Sequence, residues 1–161
     1  MAQDWINSPF GPINIQSNQH GLVKIGWGKV TPEKTDEENL EVTRQWILDY
    51  FEGRTSPLPV FNENSLTDFQ RNVLTYLRDK TKIGQTITYA ELATAAGHPN
   101  AIRAVGSVMA MNPWPLLIPC HRVVRSDGVI GNYSGEGGTS TKTRLLIHEG
   151  NKFDNSGRLA H

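Results

Sequence analysis

Apolar and polar residues alternate over Ile13-Asn14-Ile15-Gln16-Ser17, the period of a half-buried strand. Asn18-Gln19-His20-Gly21 reads as a hairpin connection, and Leu22-Val23-Lys24-Ile25-Gly26-Trp27 as the returning strand. Phe10-Gly11-Pro12 is a turn signal, and residues 1–3 are expected to be frayed. The period then lengthens. Leu40, Arg44, Ile47 and Phe51 share one side of a helix, which Trp46 and Leu48 broaden. Thr35-Asp36-Glu37-Glu38 is a capping box that would open this helix, and Gly53 would close it. Pro57-Leu58-Pro59-Val60-Phe61 must be extended. The pattern predicts a small hairpin-plus-helix α/β domain over 1–61 and a linker at 62–64.

Residues 65–96 read as mostly helical. Thr67-Asp68-Phe69-Gln70 is a second capping box, followed by an apolar stripe of Phe69, Val73, Tyr76 and Leu77. Thr86-Ile87-Thr88 is short and extended. Thr88-Tyr89-Ala90-Glu91 is a third capping box, opening about two helical turns. Gly97-His98-Pro99-Asn100 turns the chain into a helix over 101–111, rich in small residues such as Ala101, Ala104, Gly106, Ser107 and Ala110. Two short helices joined by such a turn form either a helix-turn-helix or a plain αα-hairpin. Spacing alone favours the hairpin; the small residues favour a helix that approaches something closely. Arg125-Ser126-Asp127-Gly128 reads as a hairpin turn with Val129-Ile130 returning, and a last helix runs from Ser140 or Thr141 to a stop at Gly150. The fold class is therefore α+β, with a mostly helical domain over 65–153, winged helix-turn-helix-like on the helix-turn-helix alternative, and a polar tail at 154–161.

Composition narrows the function classes. No apolar run approaches the ~20 residues of a membrane span, and the N-terminus lacks a basic stretch before an apolar one, so neither membrane attachment nor secretion is expected. A single cysteine forbids an intrachain disulfide and points to a reducing compartment, cytoplasmic or, in a eukaryote, nuclear. The zero net charge conceals an asymmetry. Residues 1–64 hold 5 Lys/Arg against 9 Asp/Glu, whereas 65–153 hold 10 against 6. A +4 half is a modest electrostatic footprint for nucleic acid.

That basic half contains Leu116-Leu117-Ile118-Pro119-Cys120-His121-Arg122-Val123-Val124. A thiol and an imidazole stand side by side, followed by β-branched residues that favour an extended backbone. In an extended segment neighbouring side chains point to opposite faces, so His121 would act on Cys120 around the chain, through a water. A structural buried cysteine beside an unrelated histidine is the plain alternative. Glu149 falls at the negative end of the last helix, where a carboxylate is unfavourable, which hints at another duty.

Ile118-Pro119-Cys120-His121-Arg122-Val123-Val124, with Asn112-Pro113 before it and Gly131-Asn132-Tyr133-Ser134-Gly135 after it, resembles the active-site region of the O6-alkylguanine-DNA alkyltransferases, whose signature is Pro-Cys-His-Arg-Val. The resemblance covers about 65–150; residues 1–61 resemble that family's N-terminal domain only in size and element order. It implies single, irreversible transfer of an alkyl group from O6 of guanine, and also from O4 of thymine, to Cys120. It implies a relay of His121, a bound water and Glu149, a hinge at Asn112, and Tyr89 polarising the guanine through a ring nitrogen. Backbone at Cys120 and Val123 would hold the base, with Tyr133 and Ser134 along it. Trp114, where relatives have a smaller residue, would be a pocket wall or plain core. The helix over 101–111 would enter the minor groove, with Ala101, Ala104, Ser107 and Arg122 among the DNA-binding residues and Arg103 filling the gap left by a flipped base. The partner implied is double-stranded DNA carrying O6-alkylguanine, bound by a monomer. Some relatives carry zinc in the N-terminal domain; this chain lacks the cysteines, so no metal and no cofactor are expected. Two other readings remain: a non-enzymatic relative that binds the lesion, which would lack the nucleophile, and a thiol hydrolase, which would turn over many substrates.

Overall fold

The computed structural model describes residues 1–131 and 138–160, and the chain divides into two units, Met1–Ser65 and Leu66–His161. The first unit is a three-stranded antiparallel sheet, β1 (Ala2–Ser8), β2 (Gly11–Asn18) and β3 (Gly21–Trp27), in that order. Pairings Ile6↔Ile13 and Ile15↔Ile25 set the register. Helix α1 (Glu38–Phe51) adds Leu40, Ile47 and Tyr50 to the buried Ile13, Ile15, Leu22 and Ile25 of the sheet. The expected hairpin is thus a three-stranded meander, and residues 2 and 3 belong to β1 rather than to a frayed end. At the end of the stretch 57–61, Phe61 bridges Leu22 of β3 in parallel, and Val60 accepts a hydrogen bond from the Leu22 N–H at 2.7 Å. Gly21 permits this approach, because a Cβ there would lie 2.6 Å from the Val60 oxygen.

The start of α1 corrects the first capping box. Glu37, not Thr35, is the N-cap; its carboxylate accepts from the Leu40 N–H at 2.9 Å. The same carboxylate accepts from the Ser17 hydroxyl of β2 at 2.6 Å. An anion at this helix end also opposes the positive end of the dipole.

In the second unit the other two boxes cap as the sequence indicates. Thr67 and Gln70 open α2 (Asp68–Lys80), and Thr88 and Glu91 open α3 (Tyr89–Ala95). Helix α4 (Ile102–Met111) follows the 97–100 turn, and α5 (Thr139–His148) ends the helical part. Between them the chain departs from expectation. Cys120–Arg122 is a turn of 3-10 helix, not an extended segment, and only Val123–Val124 (β5) is strand. That strand pairs in parallel with β4 (Ile87–Thr88), Ile87 opposite Val123. The 125–128 turn forms, with Gly128 N–H donating to Arg125 C=O at 3.1 Å, but Val129-Ile130 do not return as a strand. The polar segment after Asn151 is packed rather than loose. Phe153 bridges Leu159, and Leu159 is buried with Val124 and Leu146. No helix among the described residues is long and apolar enough to cross a membrane.

Candidate active site

Pro113 cannot continue α4, and the residue before a proline is driven out of the helical region. Asn112 accordingly leaves the helix at φ −44°, ψ 114°. Its side chain ties the following loop together. Nδ2 donates to the Ile118 carbonyl at 2.9 Å, and Oδ1 accepts from the Trp114 N–H at 3.0 Å. Inside this loop Leu116 is buried at φ +76°, a left-handed conformation costing about 1–2 kcal/mol for a residue with a Cβ. The Asn112 bonds and the burial of Trp114, Leu116, Leu117 and Ile118 offset that strain and fix the entry to the Cys120 turn.

Cys120 is 4% exposed. Burial pushes its thiol pKa up, against a hydrogen bond from Asn112 and the charge of Lys142. Such a thiol is a poor nucleophile until a base takes its proton. His121, the next residue, is fully buried, and its Nε2 lies 2.6 Å from Glu149 Oε2. Burial would raise the Glu149 carboxyl, but hydrogen bonds from His121 and Arg122 outweigh it and hold the group down at about 2. Glu149 is therefore an ionised acceptor, so Nε2 carries the proton. Burial lowers the imidazole pKa, so the ring is neutral and Nδ1 is a bare lone pair. Nδ1 has no hydrogen-bond partner among the described residues. Glu149 is the C-cap of α5, so the carboxylate that is misplaced for the helix is well placed for the imidazole.

Arg122 is not a DNA-facing cation. It is 6% exposed, its Nε donates to Glu149 Oε1 at 2.8 Å and its Nη2 to Oε2 at 3.2 Å. Its Nη1 donates to the Thr81 carbonyl at 3.0 Å, at the C-terminus of α2. The 3-10 turn is what aims consecutive His121 and Arg122 at one carboxylate, which an extended backbone would not do.

Lys142 is a site residue the sequence reading missed. It is fully buried, and Nζ donates to the Val123 carbonyl at 2.6 Å and to the Tyr89 hydroxyl at 3.4 Å. Burial lowers its pKa to about 8, against the pull of Cys120. A signal was present: Lys142 falls three and four residues before Leu145 and Leu146, on the apolar stripe of α5. Tyr89 begins α3, half-buried, with its hydroxyl pKa raised by burial and by Cys120. Gly131 lies against it, and a Cβ there would be 2.4 Å from the Tyr89 oxygen. Trp114 is 1% exposed and belongs to the core rather than to a pocket wall. Tyr133 and Ser134 lie outside the described residues. On α4 the face opposite buried Val105, Val108 and Met109 carries exposed Arg103, Ala104 and Ser107, with Ala101 half-buried at its start. Among the described residues no three His, Cys, Asp or Glu side chains are grouped to hold a metal.

Two family models match the chain: the DNA-binding domain of 6-O-methylguanine DNA methyltransferase over residues 68–151, and the ribonuclease-like domain of the same protein over residues 1–61. The methylated-DNA–protein-cysteine methyltransferase of Mus musculus is 40% identical over 93% of this chain and 82% of its own length. The protein of that name from Methanosarcina barkeri is 34% identical over 95% of this chain and 99% of its own. Among solved structures, Mycobacterium tuberculosis OGT in complex with DNA superposes with a TM-score of 0.76 at 29% identity, covering 92% of this chain and 93% of that one.

Proposed function

The chain belongs to the methylated-DNA–protein-cysteine methyltransferase family, and from that premise we propose how its own residues carry out DNA repair by direct alkyl transfer. The protein binds double-stranded DNA through the exposed face of α4, as a monomer, wherever the DNA is kept. O6-alkylguanine leaves the duplex, at a cost of a few kcal/mol, and reaches Cys120. The thiol proton passes to His121 Nδ1 through a bridging water, and the imidazolium so formed is stabilised by Glu149. The sulfur then bonds to the alkyl carbon as the carbon–O6 bond breaks, and the electron pair returns to the guanine. The Tyr89 hydroxyl, oriented by Lys142, hydrogen-bonds the ring nitrogen that gains electron density. The product is a thioether, whose carbon–sulfur bond is stable to water, so each molecule reacts once.

The observation that carries this reading is the buried His121–Glu149 contact of 2.6 Å with Nδ1 unpartnered among the described residues, next to the single cysteine. The retained nucleophile disfavours a purely lesion-binding role. Stoichiometry separates this reading from a thiol hydrolase, which would turn over many substrates. Duplex DNA carrying O6-methylguanine, in tenfold excess, should lose one methyl group per protein molecule and no more. Removal of several per molecule would establish a hydrolase; removal of none would leave a lesion binder.

A further inference from the structure

Arg122 takes no part in the proton relay proposed above, yet it is buried against the relay's carboxylate, Glu149. Its guanidinium spans Glu149 in a two-point contact, 2.8 and 3.2 Å, and reaches the Thr81 carbonyl at 3.0 Å and hydroxyl at 3.3 Å. Thr81 is itself held, its hydroxyl donating to Leu77 C=O at 2.6 Å. One cation thus joins the Cys120 turn to the C-terminal ends of α2 and α5. Glu149 Oε2 accepts from both Arg122 and His121.

We infer that Arg122 is a positioning residue that fixes the proton count of the relay, holding Glu149 as an anion already neutralised so that His121 waits with Nδ1 unprotonated. The argument is charge balance in a dry site. A buried carboxylate must be paired or protonated. With Arg122 in place, the neutral imidazole, the carboxylate and the guanidinium sum to zero, and a second imidazole proton would leave a net positive buried group. Without Arg122, the carboxylate loses its two-point cation and keeps its 2.6 Å contact with His121. The pair then reaches neutrality by taking up a proton, as imidazolium against carboxylate, and Nδ1 ceases to be a base. The other groups around the ring act in known directions. Lys142 on α5 also disfavours an imidazolium, Glu149 favours it, and Cys120 is the proton donor it serves. Tyr89 on α3 faces Cys120 and Lys142.

This inference rests on the alkyl-transfer reading, and the experiment separates the two. Single-turnover transfer rates are measured from pH 5 to 9 on a methylated duplex for wild type, Arg122→Gln and Arg122→Lys. Arg122→Gln keeps a donor to Glu149 without charge; Arg122→Lys keeps the charge without the fork. The acid limb, where His121 becomes protonated, should move up by about one pH unit or more in Arg122→Gln, an approximately tenfold slower rate on that limb. Arg122→Lys should keep the limb of wild type. An unmoved limb in Arg122→Gln, or equal movement in both, overturns the inference. Because a buried substitution can prevent folding, the wild-type protein supplies a second reading. Ring-nitrogen NMR of His121 should find Nε2 protonated and Nδ1 bare from pH 6 to 8, and an imidazolium at pH 7 overturns the inference without any variant. Absence of any transfer by wild type would instead be a failure of the function.

Discussion

Replacing Lys142 with methionine separates what this residue does for the fold from what it does for the chemistry. The depression of its pKa from 10.5 to about 8 corresponds to about 3 kcal/mol against the charged form at neutral pH. Methionine fills similar volume without that cost, but it leaves the Val123 carbonyl, now bonded at 2.6 Å, without its donor. An unsatisfied buried acceptor costs about 1–3 kcal/mol. The difference predicts that Lys142→Met is as stable as wild type at pH 7, or more stable by up to about 2 kcal/mol. The pH dependence follows from the sign of the shift. The unfolded chain keeps this proton up to 10.5 and the folded one releases it near 8, so wild type gains stability as pH rises between those values. Urea unfolding of both proteins should therefore show wild type gaining about 2 kcal/mol on the variant from pH 8 to 9.5. Transfer should slow by about tenfold or more, because the cation that favours the Cys120 thiolate is gone. A loss of more than about 2 kcal/mol at pH 7, or a wild-type advantage that does not change with pH, would refute the reasoning.

Two further substitutions test the substrate side of the site. Gly131→Ala places a Cβ 2.4 Å from the Tyr89 hydroxyl oxygen, so it should slow transfer by displacing that hydroxyl, and adding Tyr89→Phe should then cost little more; fully additive losses would show that the contact is not the cause. Arg103→Ala should lose about 1–3 kcal/mol of productive binding on duplex DNA but much less on a free benzylguanine-type substrate, which needs no flipping. An unchanged ratio of the two rates would reduce Arg103 to surface charge.

What could be read from the sequence was what is settled locally. The Thr67/Gln70 and Thr88/Glu91 boxes close within four residues, and both form. The Thr35 box failed because Glu37 finds Ser17, twenty residues away, as a second partner. Strand β1 escaped notice because its burial follows no clean alternation and is imposed by its neighbour in the sheet. The Cys120, His121 and Glu149 candidates came from the motif and from a carboxylate in a disfavoured position, and the structure brings the last two into contact. Arg122, expected at the DNA, and Lys142, not singled out, share one cause. A cation in sequence reads as surface, and the partners that make burial tolerable lie 27 and 41 residues from Arg122 and 19 and 53 from Lys142. Leu159 was lost in a polar segment for the same reason, since the apolar cluster that receives it is assembled from Val124 and Leu146.

The most direct measurement of the central claim is the mass of the intact protein after incubation with duplex DNA containing O6-methylguanine, followed by mapping of the modified peptide. The account predicts a gain of one methyl group, located on Cys120, and no gain in Cys120→Ser. Methyl found on any other residue, or taken up by Cys120→Ser, would contradict it.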